Sequence, residues 1–470
     1  MKPLCKYAAR VRRVCDIVPT LRKAIYEAQS GTPGPVFVEL PIDVLYSYED
    51  VVKEAGLSKS NAGLRYFINT YIYGYISWQF SAAFHPCDIM PIPIEVPKPT
   101  ERDAIQAAHL IFQSKRPLLI IGSQAIIFPV NPEDTAALIE DLKIPAYLSG
   151  MARGLLGKNS NIQMRHARRD AIRNADLIIL AGTVCDFRLS YGRIFPPNAK
   201  IIAINRSKSQ LKKNHGIFWR GEVLIQADVG FTLFEIVKTL KQFEYKGASE
   251  EWLENLRTND ANKEASIAKK KSEASADGRY NPLKALHILD EELPDDTIYV
   301  ADGGDFVGTA AYISRPRGPL RWLDPGAFGT LGMGGGFALG AKVVFPDSPV
   351  VILYGDGAAG YSIMEFDTFV RNKLPVIAVI GNDACWTQIA RDQIPRFDSR
   401  VACDLAYSNY EKIGEGLGAR GVAFERDDDD YVSYRAAIRD AISASKEKAQ
   451  STILNVFIAK SDFRSGSISL

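Results

Sequence analysis

The chain has 470 residues, a formal net charge of +2 and 24% charged side chains. That length suits roughly three domains of ~150 residues, and the near-neutral charge argues against an electrostatic grip on nucleic acid. The six cysteines, Cys5, Cys15, Cys87, Cys185, Cys385 and Cys403, are scattered without a CxxC pair. Neither a zinc site nor a disulfide framework is expected, and a reducing compartment is. The basic, mixed-polarity start has no apolar core of the signal-peptide kind.

In chain order, Ile17 to Gln29 reads as an amphipathic helix, residues 31–35 as a turn, and Val36 to Pro41 as a short strand. One helix and one strand bury too little to stand alone, so residues 1–58 read as the end of a domain. A linker spans 59–98 and closes on Pro91, Pro93, Pro97 and Pro99. Within it, Tyr66 to Phe84 carries no charge. Its length just reaches a bilayer span, but its tyrosines, with Asn69, Thr70, Ser77, Gln79 and Ser81, suit an interface or a protein surface better. A buried linker helix, an interfacial helix and a span all stay open. From 99 to 250, short apolar runs at Leu118–Ile121, Leu177–Leu180 and Ile201–Ile204 alternate with helical stretches, which predicts a parallel sheet covered on both faces. The charged stretch 251–280, with Lys269-Lys270-Lys271, reads as a solvated linker helix, and Asp427 to Asp430 as a solvated loop or helix start. A second α/β region covers 281–470, with strands at Ile298–Val300, Val350–Tyr354, Val376–Ile380 and Ile453–Phe457.

The chemistry concentrates between Gly355 and Asp383. A buried strand ends at Gly355-Asp356-Gly357, a helical stretch runs to about Arg371, and a second buried strand ends at Gly381-Asn382-Asp383. Such a βαβ unit crosses over right-handed with parallel strands. If the strands are neighbours, their ends lie about 5 Å apart. Two carboxylates with backbone carbonyls at one sheet edge suit a hard cation such as magnesium, which keeps waters and shares phosphate oxygens. The glycines admit close backbone approach. A lone Gly-Asp-Gly is a common turn; the complete unit is the specific signal.

Gly355-Asp356-Gly357, a spacer containing Lys373-Leu374-Pro375-Val376, and Asn382-Asp383 together resemble thiamine-diphosphate enzymes such as acetolactate synthase, pyruvate decarboxylase and 2-hydroxyacyl-CoA lyase. The segments MARGLLGKN, GTVCDFRLSYGR, DGGDFVGTAA and RGPLRWLDPGAFGTLG are most similar to the acetolactate-synthase-like 2-hydroxyacyl-CoA lyases of animals. The resemblance implies an α/β, multi-domain thiamine-diphosphate-binding fold with doubly wound parallel sheets. Residues 1–58 would be the end of a pyrimidine-binding domain, 99–250 a central Rossmann-like domain and 281–470 a diphosphate-binding domain. It implies magnesium at Asp356, at the Asn382-Asp383 pair and at the backbone carbonyl of Cys385. Asp383 stands where the family usually has asparagine. Thiamine diphosphate is expected along Gly304-Asp305-Phe306, Gly355 to Ala358 and Asn382-Asp383, and at Gly329-Thr330-Leu331, where Leu331 takes the place of the wedge that bends the cofactor.

In the central region, Gly182, Asp186 and Arg188 resemble a nucleotide-binding loop. Asn205 stands where FAD-binding relatives carry an acid, which argues against FAD. Arg188 and Arg206 read equally as surface charges. Gly332 to Gly336 is a weak match to a dinucleotide turn. The glutamate such enzymes use early in the pyrimidine domain finds no match in Glu39 or Glu365, so no catalytic residue is assigned. An N-terminally truncated chain, impaired alone, is expected. The five isolated histidines read as structural, and Cys385 and Trp386 as substrate-facing or packing residues. The expected reaction is cleavage of a 2-hydroxyacyl-CoA to a shortened aldehyde and formyl-CoA. The rivals are acetolactate-type chemistry on a 2-oxo acid and a non-catalytic subunit. A homodimer or tetramer, possible membrane contact and the endoplasmic reticulum follow from the resemblance. Ile468-Ser469-Leu470 lacks the basic residue of a peroxisomal signal.

Overall fold

The computed structural model describes residues 1–57 and 63–465. The boundary drawn at 58 and the terminal Ile468-Ser469-Leu470 lie outside the described residues. The chain forms two compact units, Met1–Pro97 and Lys98–Leu470.

The first unit holds β1 (Tyr7–Arg10), α1 (Ile17–Gln29), β2 (Val36–Glu39), α2 (Tyr48–Glu54) and α3 (Leu64–Gln79), with β1 and β2 parallel. Helix α3, from the stretch read as a linker, therefore packs into this unit. Gln79 Nε2 donates to Asp43 Oδ2 at 2.8 Å, and Ile76 and Gln79 are buried. The opposite side of α3 is open: Leu64, Phe67, Tyr71 and Trp78 are exposed, which corrects the buried-helix reading. Among the described residues no helix is long and apolar enough to cross a membrane.

The second unit contains two six-stranded parallel sheets. The first is built from α4 (Glu101–Gln113), β3 (Pro117–Ile121), α5 (Pro132–Leu142), β4 (Ala146–Leu148), β5 (Gln163–Met164), α6 (Arg168–Asn174), β6 (Leu177–Ala181), β7 (Lys200–Ile204), α7 (Lys208–Leu211), β8 (Val223–Ile225), α8 (Val229–Gln242) and α9 (Glu250–Lys271). Its strand order is β5-β4-β3-β6-β7-β8. Strand residues alternate between two cores, which is why the strands read as unbroken apolar runs. Leu119 and Ile121 meet α4, α5 and α8 on one face, while Leu118 and Ile120 meet α6 and α9 on the other.

Helix α9 is not a solvated linker. Trp252, Leu253 and Leu256 sit in that second core, and Trp252 Nε1 donates to Pro117 O at 3.0 Å. Abundant charge on its outer side masks the inner stripe. Trp252→Ala should therefore destabilise the unit by about 3–5 kcal/mol, as large-to-small changes in a buried core do. Thermal or urea denaturation checks this, and a loss below about 1 kcal/mol would return α9 to the linker class.

The other sheet is built from α10 (Pro282–Glu292), β9 (Ile298–Ala301), α11 (Asp305–Ile313), β10 (Trp322–Leu323), α12 (Gly334–Val344), β11 (Val350–Gly355), α13 (Asp356–Ser362), α14 (Glu365–Arg371), β12 (Ile377–Asn382), α15 (Thr387–Phe397), α16 (Tyr410–Gly416), β13 (Arg420–Phe424), α17 (Val432–Lys448) and β14 (Thr452–Phe457). Its order is β10-β9-β11-β12-β14-β13. The single helix expected after Gly357 is two, α13 and α14. On β11, Val351 and Leu353 face the core of α10, α11 and α17, whereas Val350, Ile352 and Tyr354 face Phe366 and Phe369 of α14. The chain runs from β9 outward to β10, then returns past β9 to β11. The winding direction thus reverses between β9 and β11, and ligands of open α/β sheets bind outside the strand ends at such a reversal.

Candidate functional site

The carboxyl ends of β9, β11 and β12 form the site. Gly355 pairs with Gly381 across β11 and β12, so Asp356, one residue past Gly355, and Asp383, two residues past Gly381, leave adjacent strands at the same edge. Gly304, at φ +109°, lies so close to β11 that a Cβ there would sit 3.1 Å from Gly355 Cα. Gly355 N donates to Gly303 O at 2.9 Å. Two loops thus touch backbone to backbone at the reversal point, which only glycine permits.

A cavity opens there, lined by Asp305, Asp356, Gly357, Asp383, Cys385 and Trp386, with Gly304, Phe306, Gly355 and Ala358 in its wall. Asp356 is 3% exposed. Its Oδ1 accepts from Gly357 N at 2.8 Å and its Oδ2 from Cys385 N at 3.1 Å. Burial pushes its pKa up, against the pull of the amides of Gly357, Cys385 and Ala384. Asp383 is 8% exposed and accepts from the Thr387 hydroxyl. Burial, then the like charges of Asp356 and Asp305, push it up to about 7, with Thr387 pulling the other way. Tyr410 Oη donates to Asp356 O at 2.7 Å and fixes that turn from below.

Asn382 differs from expectation. Strand β12 runs to Asn382 rather than stopping at Ile380, so this side chain obeys the strand's alternation and turns into the sheet. Its Nδ2 donates to Ser408 O at 3.2 Å and to Asn455 Oδ1 at 3.3 Å. Asn455 in turn donates to Glu411 Oε2 at 2.8 Å. A fully buried amide so engaged supports the loop and is not placed as a metal ligand.

Gly329, Thr330 and Leu331 do not line this cavity. Their loop is tied to it through Asp302, whose Oδ1 and Oδ2 accept from Gly332 N at 2.9 Å and Gly334 N at 2.6 Å. Burial pushes Asp302 up, and those two bonds oppose it. Leu331 packs over Gly303, where a Cβ would come within 2.1 Å of it. Trp386 lies against Gly357, where a Cβ would meet its ring at 2.3 Å.

The central sheet has its own reversal, between β3 and β6. There Gly122 meets Gly182, and a Cβ on Gly122 would lie 2.4 Å from Gly182 O. Gln124 fills that edge: its Nε2 donates to Asn205 Oδ1 at 3.0 Å, and its Oε1 accepts from Arg206 N at 3.0 Å. Arg206 is not a surface charge; it is buried against Asp228 at 2.6 Å. Arg188 forks onto Asp186 at 2.7 Å. His166, among the isolated histidines, is buried with Nε2 2.8 Å from Glu264.

Sequence reasoning missed Thr387, Tyr410, Arg391 and Arg464. Thr387 stands four residues past Asp383, at the start of α15, near enough in sequence to have offered a signal. Arg391 and Arg464 offered none, since only folding brings them to Asp305, at 2.6 and 3.4 Å.

Residues 302–456 match the profile described as "Thiamine pyrophosphate enzyme, C-terminal TPP binding domain", and residues 104–236 match "Thiamine pyrophosphate enzyme, central domain". The chain is 53% identical over its whole length to a Caenorhabditis elegans protein named 2-hydroxyacyl-CoA lyase 2, covering 73% of that protein. The chain belongs to the thiamine pyrophosphate enzymes. A Homo sapiens protein of the same name is 47% identical, again with all of this chain and 73% of the relative covered. A probable acetolactate synthase of Mycobacterium bovis is 26% identical over 97% of this chain and 74% of its own length. Among solved structures, benzoylformate decarboxylase from Polynucleobacter necessarius shares the fold, with a TM-score of 0.71 at 18% identity, over 98% of this chain and 77% of that one.

These likenesses bear on what the cavity holds. Among the described residues no three His, Cys, Asp or Glu side chains make a self-sufficient metal site. A cation there would take two carboxylates and complete its shell from backbone oxygen, water and phosphate, which is the habit of magnesium. The buried pair of acids with glycine-lined approach fits a metal-bound diphosphate group.

Proposed function

We propose that this chain carries the cofactor centre of a carbon–carbon lyase that cleaves 2-hydroxyacyl-CoA to a shortened aldehyde and formyl-CoA. The observation that carries the reading is the convergence of Asp356 and Asp383 at the β9/β11 reversal, beside a glycine-lined cavity. The relatives' names support the substrate class: proteins at 47–53% identity are called 2-hydroxyacyl-CoA lyase 2, while the probable acetolactate synthase stands at 26%. Asp356, Asp383 and the Cys385 carbonyl would hold magnesium, and the Gly304-Asp305-Phe306 turn would receive the diphosphate. Thiamine diphosphate, when bound, supplies the carbon nucleophile and electron sink for breaking the carbon–carbon bond. The chain's own groups bind and orient: Thr387 aims Asp383, Tyr410 braces Asp356, and Trp386 covers Gly357.

Asp383 gives the reading a pH signature. Its folded value is raised above that of the unfolded chain, so the stability it contributes is present at low pH and lost as pH rises through about 7. A cation needs the ionised form, so magnesium affinity should climb through pH 7 and level off above it. Asp383→Asn, which installs the residue usual in the family, should flatten that climb between pH 6 and 8. Calorimetric titration of magnesium at several pH values checks this; an equally steep profile in the variant would rule Asp383 out.

The same reading places the protein inside the cell as a homodimer or tetramer at the endoplasmic reticulum membrane. The uncharged rings on the outer side of α3 suit such an interface. The decisive assay supplies the native protein, purified from its source, with thiamine diphosphate and magnesium, and offers it either a 2-hydroxyacyl-CoA or pyruvate. Formyl-CoA and aldehyde from the first are expected; acetolactate from the second alone would overturn the assignment.

A further inference from the structure

The segment after β14 turns back into the site. Ile458 N donates to Asn382 O and Ala459 N to Tyr280 O, both at 2.9 Å. Asp462 pairs with Lys270 of α9 at 2.9 Å, and Phe463 stands edge-on to Tyr312 at 5.8 Å. These anchors deliver Arg464 into the protein beside α11, where its side chain is 1% exposed. Gly308 makes the space: a Cβ there would sit 1.9 Å from Arg464 Nη1.

Arg464 Nη1 lies 3.4 Å from Asp305 Oδ1, and Arg391 Nη2, from α15, lies 2.6 Å from Asp305 Oδ2. Two guanidiniums from distant parts of the chain thus share one carboxylate on the first turn of α11. Arg464 Nε is buried without a hydrogen-bond partner among the described residues. A buried charge left so is costly unless charge is needed nearby. Here it is needed, because Asp305, Asp356 and Asp383 all line the one cavity. Without the arginines, three carboxylates would repel an anionic ligand. With them, the Asp305 group carries one net positive charge.

We propose that Arg391 and Arg464, acting through Asp305, are positioning residues for the diphosphate group. They hold the first turn of α11 against Gly355 and offset the acids around the cavity, so the segment after β14 is part of the cofactor site. This deepens the reading above and rests on it.

The test titrates magnesium pyrophosphate, and separately magnesium with thiamine diphosphate, into the full chain by calorimetry. Arg391→Gln and Arg464→Gln should each weaken both ligands about tenfold, the scale of one charged hydrogen bond. Combining Asp305→Asn with Arg464→Gln restores the single net positive charge, so affinity should recover to within about threefold of the unmodified chain. A merely structural role for Arg464 would lower the melting temperature and give no such recovery. If Arg464→Gln does not fold, Arg391→Gln decides, because Arg391 lies on a partly exposed helix surface. Unchanged affinity in the arginine variants, or a double variant weaker than either single one, overturns this inference alone. An unmodified chain that binds neither ligand overturns the site reading instead.

Discussion

Asp356→Asn is expected to abolish magnesium-dependent binding of thiamine diphosphate while leaving the fold intact. The carboxylate is buried and its pKa is raised, so its charge costs folding free energy that asparagine does not. Removing the charge offsets the loss of one acceptor for the amides of Gly357 and Cys385. The melting temperature without ligand should therefore stay within a few degrees of the unmodified protein. Cofactor affinity should fall by at least about a hundredfold, since even indirect supports of a metal site are worth ten- to a hundredfold. The two readings separate cleanly in a thermal shift assay run with and without magnesium and thiamine diphosphate. A variant that still gains its full cofactor-induced stabilisation would remove Asp356 from the metal site.

Gly381→Ala should do the opposite and damage the fold first. A Cβ at Gly381 would lie 2.2–2.6 Å from three atoms of the buried Phe306 ring. Nothing can yield cheaply, because Phe306, on the first turn of α11, points into the core and Gly381 is fixed by pairing to both β11 and β14. Overpacking of this kind costs about 1–3 kcal/mol, and the displaced ring would carry Asp305 with it. Gly360→Ala, in α13, is the matched control: no atom lies within 4 Å of its added carbon, and alanine there favours the helix. Denaturation of the two variants side by side gives the comparison. Equal stability would mean that Phe306 has room the structure does not show.

How much of this was legible follows from the range of the signals. The βαβ unit from Val350 to Asp383 could be read because strand, turn and strand are contiguous and each has its own local pattern. Strands β3, β6, β7, β9, β11, β12 and β14 could be read because burial on two faces leaves unbroken apolar runs, whereas β4, β5, β8 and β10, of two or three residues, and the half-buried β13 carry no such run. Helix α9 misled because its few inward residues, Trp252, Leu253 and Leu256, are outnumbered by charges facing outward. Asn382 misled because the sequence pattern marks a polar pair at a strand end, while the two extra residues of β12 decide which way each side chain points. Asp305 was expected at the cofactor, but its partners Arg391 and Arg464 lie far away in sequence and meet it only through tertiary packing. The exposure of α3 could not be read either, because an uncharged aromatic helix has the same composition whether it faces protein, lipid or water.

The central claim is that Asp356 and Asp383 together hold a divalent cation through which the diphosphate of thiamine diphosphate is bound. The most direct measurement is calorimetric titration of thiamine diphosphate into the protein at pH 8, once with magnesium and once with a chelator. Saturable binding with magnesium, and loss of it with the chelator, is the expected result. Equal affinity under both conditions would contradict the claim.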